Sequence, residues 1–292
     1  MAIFQTELRS SLTHTTIADA MNPRVVICDP ETRLFAVAAT MAAQAIHTVV
    51  VTSPHGGRPL TITALDLLRA AIGGALDQPA GDIAREPFAT FAPSDTLEQA
   101  AAAMATLEVD HLLAGEADRA EPEGMLSSFD IVSVVAGRDP RLTRTIRPGP
   151  ARALVSASRL SATTVGAAMH PGVITSLPET PLRELAVRMA DLRVHCIAVS
   201  GVGRHADGDE HLVWGLVSHM DVVHAAHRGT LATPAGEWAT TAPLALPEDA
   251  TLERAAELMV GHDVAHVVSV GRSGMPSGIV STLDAIRILA AG

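Results

Sequence analysis

The chain has 292 residues, of which 48% are hydrophobic and 18% are charged. This composition supplies apolar side chains for about two ordinary domains and excludes a largely disordered protein. Acidic residues number 32 against 21 basic ones, for a net charge of −11, which argues against a nucleic-acid-binding protein. All the basic residues are arginine and there is no tyrosine, so a Schiff-base lysine and a catalytic tyrosine are excluded.

The number of cysteines and the length of the apolar runs indicate the cellular location of the protein. Cys28 and Cys196 are too few for a disulfide framework or a cysteine zinc site. The first residues lack the pattern of a secretory signal, and no apolar run approaches the ~18 residues of a membrane span. We therefore expect a cytoplasmic protein that does not enter a membrane.

Four copies of one pattern follow one another along the chain. Each copy has a leucine, a methionine seven residues later, and a β-branched residue five further on that opens a short apolar run. A proline precedes each leucine by four or five residues. Such fixed offsets indicate internal repeats. The leucines are Leu34, Leu97, Leu182 and Leu252, and the methionines are Met41, Met104, Met189 and Met259.

Each repeat predicts the same succession of elements. A short extended piece ends at the proline, and a helix with apolar residues at helical spacing follows. Two short strands come next, then a second helix, which a left-handed glycine should end. These glycines are Gly73, Gly137, Gly229 and Gly292. The predicted fold class is α/β (α+β), with four β-α-β-β-α repeats.

The repeats divide the chain into two halves. We place them at residues 14–80, 81–147, 160–232 and 233–292, with a linker at 148–159. One repeat of ~60 residues buries little surface alone, so the two repeats of each half are expected to pack together.

The junction between the last strand and the last helix of each repeat reads [Ser/Thr]-x-x-Asp. This spacing is typical of a capping box, in which a hydroxyl and an acid satisfy the first helix amides. The same geometry suits a nucleotide, because helix amides favour phosphate and a carboxylate can accept both hydrogens of a ribose diol. A glycine six residues before three of the aspartates would permit close approach. Spacing alone leaves both interpretations open.

The helix "TLEQAAAAMATLEVDHLL" from Thr96 and the junctions "GMLSSFD", "GLVSHMD" and "GIVSTLD" resemble the cystathionine β-synthase (CBS) domain. Two such domains in tandem resemble a Bateman module. The resemblance implies two pseudo-twofold modules with clefts for AMP, ADP or ATP, or for S-adenosylmethionine. It places the junction aspartate on ribose and the hydroxyl near ribose or phosphate.

Carried onto this sequence, the resemblance implies a defined set of nucleotide-binding residues. The first strand lines the base pocket in this family, and the positions three before the proline are Ile27, Thr90, Thr175 and Leu244. Because only Thr90 and Thr175 are polar, repeats 2 and 3 are predicted to be the best equipped to bind a nucleotide base. Arg69 and Arg287, three residues after their aspartates, are the candidate phosphate contacts. The full set is Thr63, Asp66, Thr90, Ser127, Asp130, Thr175, Ser218, Asp221, Ser281 and Asp284.

The sequence contains no nucleophile elbow, P-loop or metalloprotease pattern, so we expect a regulatory protein and not an enzyme. It would be a homodimer that regulates a protein the sequence does not identify. A ligand-free interaction scaffold is the alternative, and an enzyme comes third. We predict no metal at the hairpin residues His205, Asp207, Asp209, Glu210 and His211 or at the pair His224 and His227, which are typical of a solvated turn and helix end.

Overall fold

The computed structural model describes residues 12–53, 57–87, 89–116, 119, 121–138, 158–204, 210–241 and 243–291. Every repeat has the predicted β-α-β-β-α order, which confirms the mixed α/β fold. Within these ranges, no helix combines the length and the hydropathy needed to cross a membrane.

The elements of the four repeats are as follows, each with the segment that leads into it. Repeat 1 contains α1 (Ile17–Ala20), β1 (Ile27–Cys28), α2 (Leu34–Gln44), β2 (Thr48–Val51), β3 (Leu60–Thr63) and α3 (Ala64–Ile72). Repeat 2 contains a 3-10 turn (Ala80–Asp82), β4 (Thr90–Phe91), α4 (Leu97–Leu107), β5 (His111–Ala114), β6 (Gly124–Ser127) and α5 (Ser128–Val135). Repeat 3 contains α6 (Ser158–Ala162), α7 (Val165–Ala168), β7 (His170–Pro171), β8 (Thr175–Ser176), α8 (Leu182–Leu192), β9 (Cys196–Arg204), β10 (Glu210–Ser218) and α9 (His219–His227). Repeat 4 contains a 3-10 turn (Ala235–Glu237), β11 (Thr240–Thr241), β12 (Ala245–Pro247), α10 (Leu252–His262), β13 (His266–Val270), β14 (Pro276–Ser281) and α11 (Thr282–Ala290).

The strand order is the same in all four repeats. The first strand runs parallel to the second, which pairs antiparallel with the third. The register aligns the first-strand residues Ile27, Thr90, Thr175 and Ala245 with Val50, Leu113, Ala198 and Val268. Counting back from the proline therefore gave the wrong residue in repeat 4. Ala245, and not Leu244, is the counterpart of Thr90 and Thr175, because Pro247 itself belongs to the strand.

The first helix of each repeat explains the leucine-to-methionine spacing. Each of these helices has 11 residues, begins at the leucine and ends three residues after the methionine. The next residue is left-handed, with φ between 51° and 55°, although none of the four is glycine. Its amide donates to the methionine carbonyl, which reverses the chain into the buried second strand. These residues are Ala45, Glu108, Arg193 and Asp263.

The last helices end differently in repeat 1. Gly137 and Gly229 adopt the predicted left-handed conformation, with φ of 72° and 70°. In repeat 1 the prediction was wrong by one residue, because Gly73 is right-handed with φ −72° and Gly74 has φ 69°. The fourth predicted cap, Gly292, lies outside the described residues.

The chain forms two compact units, and each combines the β-α-β-β-α core of one repeat from each half, while the segment that leads into each repeat belongs to the other unit. The 1/3 unit contains Val26–Glu86 and Val173–Pro243, and the 2/4 unit contains Met1–Val25, Pro87–Gly172 and Leu244–Gly292. Within the 1/3 unit, α9 packs against α2 and α3, and α8 packs against α3. Within the 2/4 unit, α11 packs against α4 and α5. The four repeat methionines are fully buried in these cores.

In repeats 2, 3 and 4, the third-strand glycine six residues before the junction aspartate makes room for another chain segment. A Cβ on Gly215 would lie 2.6 Å from the carbonyl oxygen of Thr240 in β11, which pairs with β10. A Cβ on Gly278 would lie 2.6 Å from the carbonyl oxygen of His170 in β7, which pairs with β14. Gly124 faces Met21 and Asn22 in the same way. The close approach is therefore made by backbone at Gly215, and by backbone together with a methionine side chain at Gly124 and Gly278.

We expect Gly215→Ala to destabilise the protein by about 1–3 kcal/mol, because the new methyl group forces the backbone at Thr240 to move. Urea denaturation followed by circular dichroism measures the effect. The matched control is Gly73→Ala, whose Cβ would meet nothing closer than 3.5 Å. An unchanged midpoint for Gly215→Ala would show that β11 does not need the glycine.

Ala45→Gly should instead stabilise the protein by about 0.5–1 kcal/mol, since glycine relieves the left-handed strain that a Cβ imposes. Ala39→Gly, within α2, should lower stability by about 1 kcal/mol. Thermal unfolding of both variants beside the parent chain tests the pair. Equal losses in the two variants would contradict the strain argument.

Candidate functional site

All four predicted junctions form a complete capping box. The Ser127 hydroxyl donates to Oδ2 of Asp130 at 2.6 Å, the Ser127 amide donates to the same oxygen at 2.8 Å, and the Asp130 amide donates back to the hydroxyl at 3.1 Å. The other junctions repeat these contacts within a few tenths of an ångström. One carboxylate oxygen of every junction aspartate is therefore used by its own helix start, and the surroundings of Oδ1 distinguish the four sites.

In repeat 4, Oδ1 is occupied as well. Arg287 Nη1 donates to Oδ1 of Asp284 at 2.8 Å, and His170 Nε2 lies 3.1 Å from the same oxygen. The Asp284 side chain is only 4% exposed. Arg287 also reaches Glu108, at 3.4 Å. Arg287, predicted to contact a phosphate, is thus held by two acidic groups of its own unit.

In repeat 1, the partner of Oδ1 is an arginine that the sequence analysis did not single out. Arg85 Nη2 lies 3.4 Å from Oδ1 of Asp66, whereas the predicted Arg69 is 4.0 Å away, at the limit of an ion pair. Arg85 reaches this position because its backbone pairs with Thr61 in β3. The charge of Asp66 is therefore balanced mainly by Arg85.

In repeat 3, Oδ1 of Asp221 is the most available. Ser218 supplies the capping contacts to Oδ2, and within the described part of the chain no side chain donates a hydrogen bond to Oδ1. Asp221 is half-buried, whereas Asp130 in repeat 2 is 3% exposed. The third junction thus presents a carboxylate oxygen whose direction the capping box already fixes.

Thr90 and Thr175 occupy matching places in their sheets. Thr175 aligns with Ala198 and then with Leu216, two residues before Ser218. Because alternate residues of a strand point to the same face and strands lie ~4.8 Å apart, Thr175 and Ser218 share a face, two strands apart. Thr90 has the same relation to Ser127. The structure thus puts the predicted base and sugar residues on one face without direct contact between them.

Several histidines of the 1/3 unit are close together. The ring of His219 lies 5.0 Å from that of His47 and 5.2 Å from that of His195, centroid to centroid, and its Nδ1 is 3.1 Å from the His195 carbonyl. His224 Nε2 lies 3.0 Å from the Ala42 carbonyl, and His227 packs on Phe35. Across the described residues, no three His, Cys, Asp or Glu side chains are arranged to hold a metal. Residues 205–209 of the hairpin, and the side chains of Glu210 and His211, lie outside what the structure describes.

The two thiols are poor nucleophiles at neutral pH. Burial raises the pKa of Cys196 to about 12, and burial also raises the pKa of Cys28. Since the thiolate is the reactive form, both side chains act as small apolar groups.

Comparison with known proteins assigns the repeats. The family model of the CBS domain matches residues 17–73, 80–137, 165–228 and 235–291. No curated protein matches the chain in sequence.

Solved structures share the fold at low sequence identity. Protein MJ1225 from Methanocaldococcus jannaschii, which has been proposed as an archaeal homolog of g-AMPK, is 17% identical, with a TM-score of 0.68 over 92% of this chain and 97% of that chain. An uncharacterized conserved protein from Pyrococcus horikoshii is 15% identical, with a TM-score of 0.54 over 94% of this chain and 100% of that chain. At these identities the likeness concerns the fold. The four family matches cover most of the sequence, and the chain belongs to the CBS domain family.

Proposed function

We propose that this protein is a regulatory sensor that binds an adenosine-containing ligand at its strand-to-helix junctions, first of all at Asp221. CBS domains generally serve regulation and not catalysis, in line with this proposal. The observation that carries it is the Oδ1 oxygen of Asp221, which is oriented by a capping box and receives no hydrogen bond from the described residues.

A fixed carboxylate oxygen suits a ribose diol. The capping contacts hold the Asp221 side chain in one rotamer, so little conformational entropy is lost when a ligand binds. The hydroxyl groups of a sugar can donate to Oδ1, as they do to acidic residues in other nucleotide folds. Thr175, on the same sheet face as Ser218, offers a polar group for the base.

At the other junctions, ligand binding is less favourable where side chains already contact Oδ1 of the aspartate. A diol at Asp284 would have to displace Arg287 and His170, which lie 2.8 and 3.1 Å from Oδ1. A diol at Asp66 would compete with Arg85 at 3.4 Å. Thr63, Ser127 and Ser281 remain candidate contacts at the other three sites, and Thr90 and Asp130 complete the proposed set in repeat 2.

Regulation follows if the ligand binds one arrangement of the protein better than another. A ligand shifts such an equilibrium only by its difference in affinity for the two states. The controlled partner would be another protein, because the sequence provides no catalytic pattern. AMP, ADP and ATP are the leading candidates, and S-adenosylmethionine is the alternative ligand.

One observation favours a ligand-free interaction scaffold as the second candidate. The capping box is complete at all four junctions, so the Ser/Thr and Asp residues have a structural role whether or not a ligand binds. A scaffold would show no thermal stabilisation by any nucleotide.

Calorimetric titration of the full chain with AMP, ADP, ATP and S-adenosylmethionine tests the proposal. We expect Asp221→Asn to weaken binding ~10-fold or more, since hydrogen bonds to a charged group contribute ~1.5–3 kcal/mol. The amide keeps the size of the side chain and removes the charge that the diol recognises.

Asp284→Asn is the matched control and should change affinity less than ~3-fold, because Oδ1 of Asp284 is already engaged. Absence of binding by all four ligands at millimolar concentration would support the scaffold. Equal losses in both variants would contradict the ranking of the junctions.

We also expect a homodimer. Leu177 and Leu192 of the 1/3 unit are 58% and 54% exposed, and association would remove such side chains from water. Light scattering at micromolar concentration measures the mass, and a monomeric value would contradict this expectation.

A further inference from the structure

The 1/3 unit contains a groove beside the repeat 1 junction, where Arg69, the candidate phosphate contact of that junction, faces a second arginine that the junction motif does not include. It has a volume of about 470 Å³ and is lined by Arg69, Ile72, Val187, Ala190, Asp191 and Arg193. Helices α3 and α8 form its two sides where they pack together. The volume falls in the range of small-molecule sites, roughly 300–1,000 Å³.

The corresponding place in the 2/4 unit is closed by an ion pair. Arg69 and Arg287 both lie three residues after a junction aspartate, and Arg193 and Glu108 are both the left-handed residue after the first helix. In the 2/4 unit, Arg287 and Glu108 approach to 3.4 Å. In the 1/3 unit, the two equivalent residues are both arginines. One substitution between repeats therefore converts a neutral pair into two like charges on one groove.

Arg69 and Arg193 have fewer or more distant acidic partners than Arg287, which lies 2.8 Å from Asp284 and 3.4 Å from Glu108. Arg69 is 4.0 Å from Asp66, whose nearer partner is Arg85. Among the described residues, no acidic side chain forms an ion pair with Arg193. Asp191 also lines the groove and reduces its positive charge without cancelling it. Arg183 donates to the Ile72 carbonyl and so contributes to the helix contact.

We propose that the groove between α3 and α8 binds a phosphate-bearing anion between Arg69 and Arg193. Guanidinium groups bind phosphate oxygens through paired charge-assisted hydrogen bonds. The anion takes the place that the Glu108 carboxylate holds in the 2/4 unit. This inference does not depend on ribose recognition at Asp221, because a polyphosphate contains neither sugar nor base.

Titration calorimetry of the full chain with tripolyphosphate at low salt tests the groove. We expect one site per chain that weakens as ionic strength rises. Arg193→Glu should lower the affinity at least ~10-fold, because it restores the acid–arginine pair of the 2/4 unit. Asp191→Asn should raise the affinity ~2–3-fold by removing the acidic group.

Arg254→Glu is the matched control. Arg254 is exposed, pairs only with Glu257 among the described acidic residues, and its replacement changes the net charge by the same amount. It should bind tripolyphosphate within ~2-fold of the parent chain. Absence of tripolyphosphate binding, or equal losses in Arg193→Glu and Arg254→Glu, would overturn the proposal. Circular dichroism verifies that each variant is folded, and Arg193→Met serves in place of Arg193→Glu if that variant is not.

Competition identifies the source of the phosphate. If ATP displaces tripolyphosphate and adenosine does not, the groove receives the phosphate chain of a nucleotide. If ATP and tripolyphosphate bind independently, the groove is specific for a free anion. Either result supports the site, and it leaves the test at Asp221 separate.

Discussion

The structure depends on one local interaction, the reciprocal bond between a Ser or Thr at the end of a strand and an Asp one turn into the following helix. The hydroxyl accepts a hydrogen bond from the Asp amide and donates one to Oδ2 of the same Asp. These bonds fix the angle between the end of the strand and the start of the helix. Four copies of this junction set the direction in which each last helix leaves its sheet. That direction buries residues such as Ile131 and Ile286 in the core. The same contacts use only Oδ2, so Oδ1 is left to interact with other side chains, as it does with Arg287 at Asp284.

The offsets in the sequence predicted the repeats because they follow from local geometry. An 11-residue helix followed by a single left-handed residue requires a fixed distance between the leucine, the methionine and the next strand. Periodicity does not reveal that none of these left-handed residues is glycine; the one after α2, for example, is Ala45. The strand glycines permit close approach, and another segment of the chain occupies the space beside them. Gly215 makes room for a segment that begins 24 residues later in the chain, at Ala239 and Thr240, and only the folded structure shows that approach.

Which distant segments of the chain pack together was harder to predict from the sequence than the repeats themselves. The expectation that neighbouring repeats pack together came from the linker and from the surface that one repeat can bury. Each compact unit also brings together one repeat from each half, and no spacing in the sequence indicates this pairing, because it depends on which helix faces fit, for example α11 against α4. The partners of the predicted site residues were missed for the same reason. Arg85 and His170 come from strand-edge segments outside the junction motif, and no spacing in the motif indicates them.

Divergence among repeats of common origin decides which sites remain open. The four junctions share one backbone, so their chemistry differs only through the side chains that reach Oδ1. In repeat 4 an arginine and a histidine saturate Asp284 and the carboxylate is buried, which makes that junction a structural ion cluster. In repeat 3 the position equivalent to Glu108 is Arg193, which removes an internal partner for Arg69 and leaves positive charge beside a groove. Internal pairing at Asp284 and its absence at Arg193 among the described residues therefore involve the same few positions of the repeat. Under the proposed function, the four repeats would therefore bind ligand unequally although they share one fold.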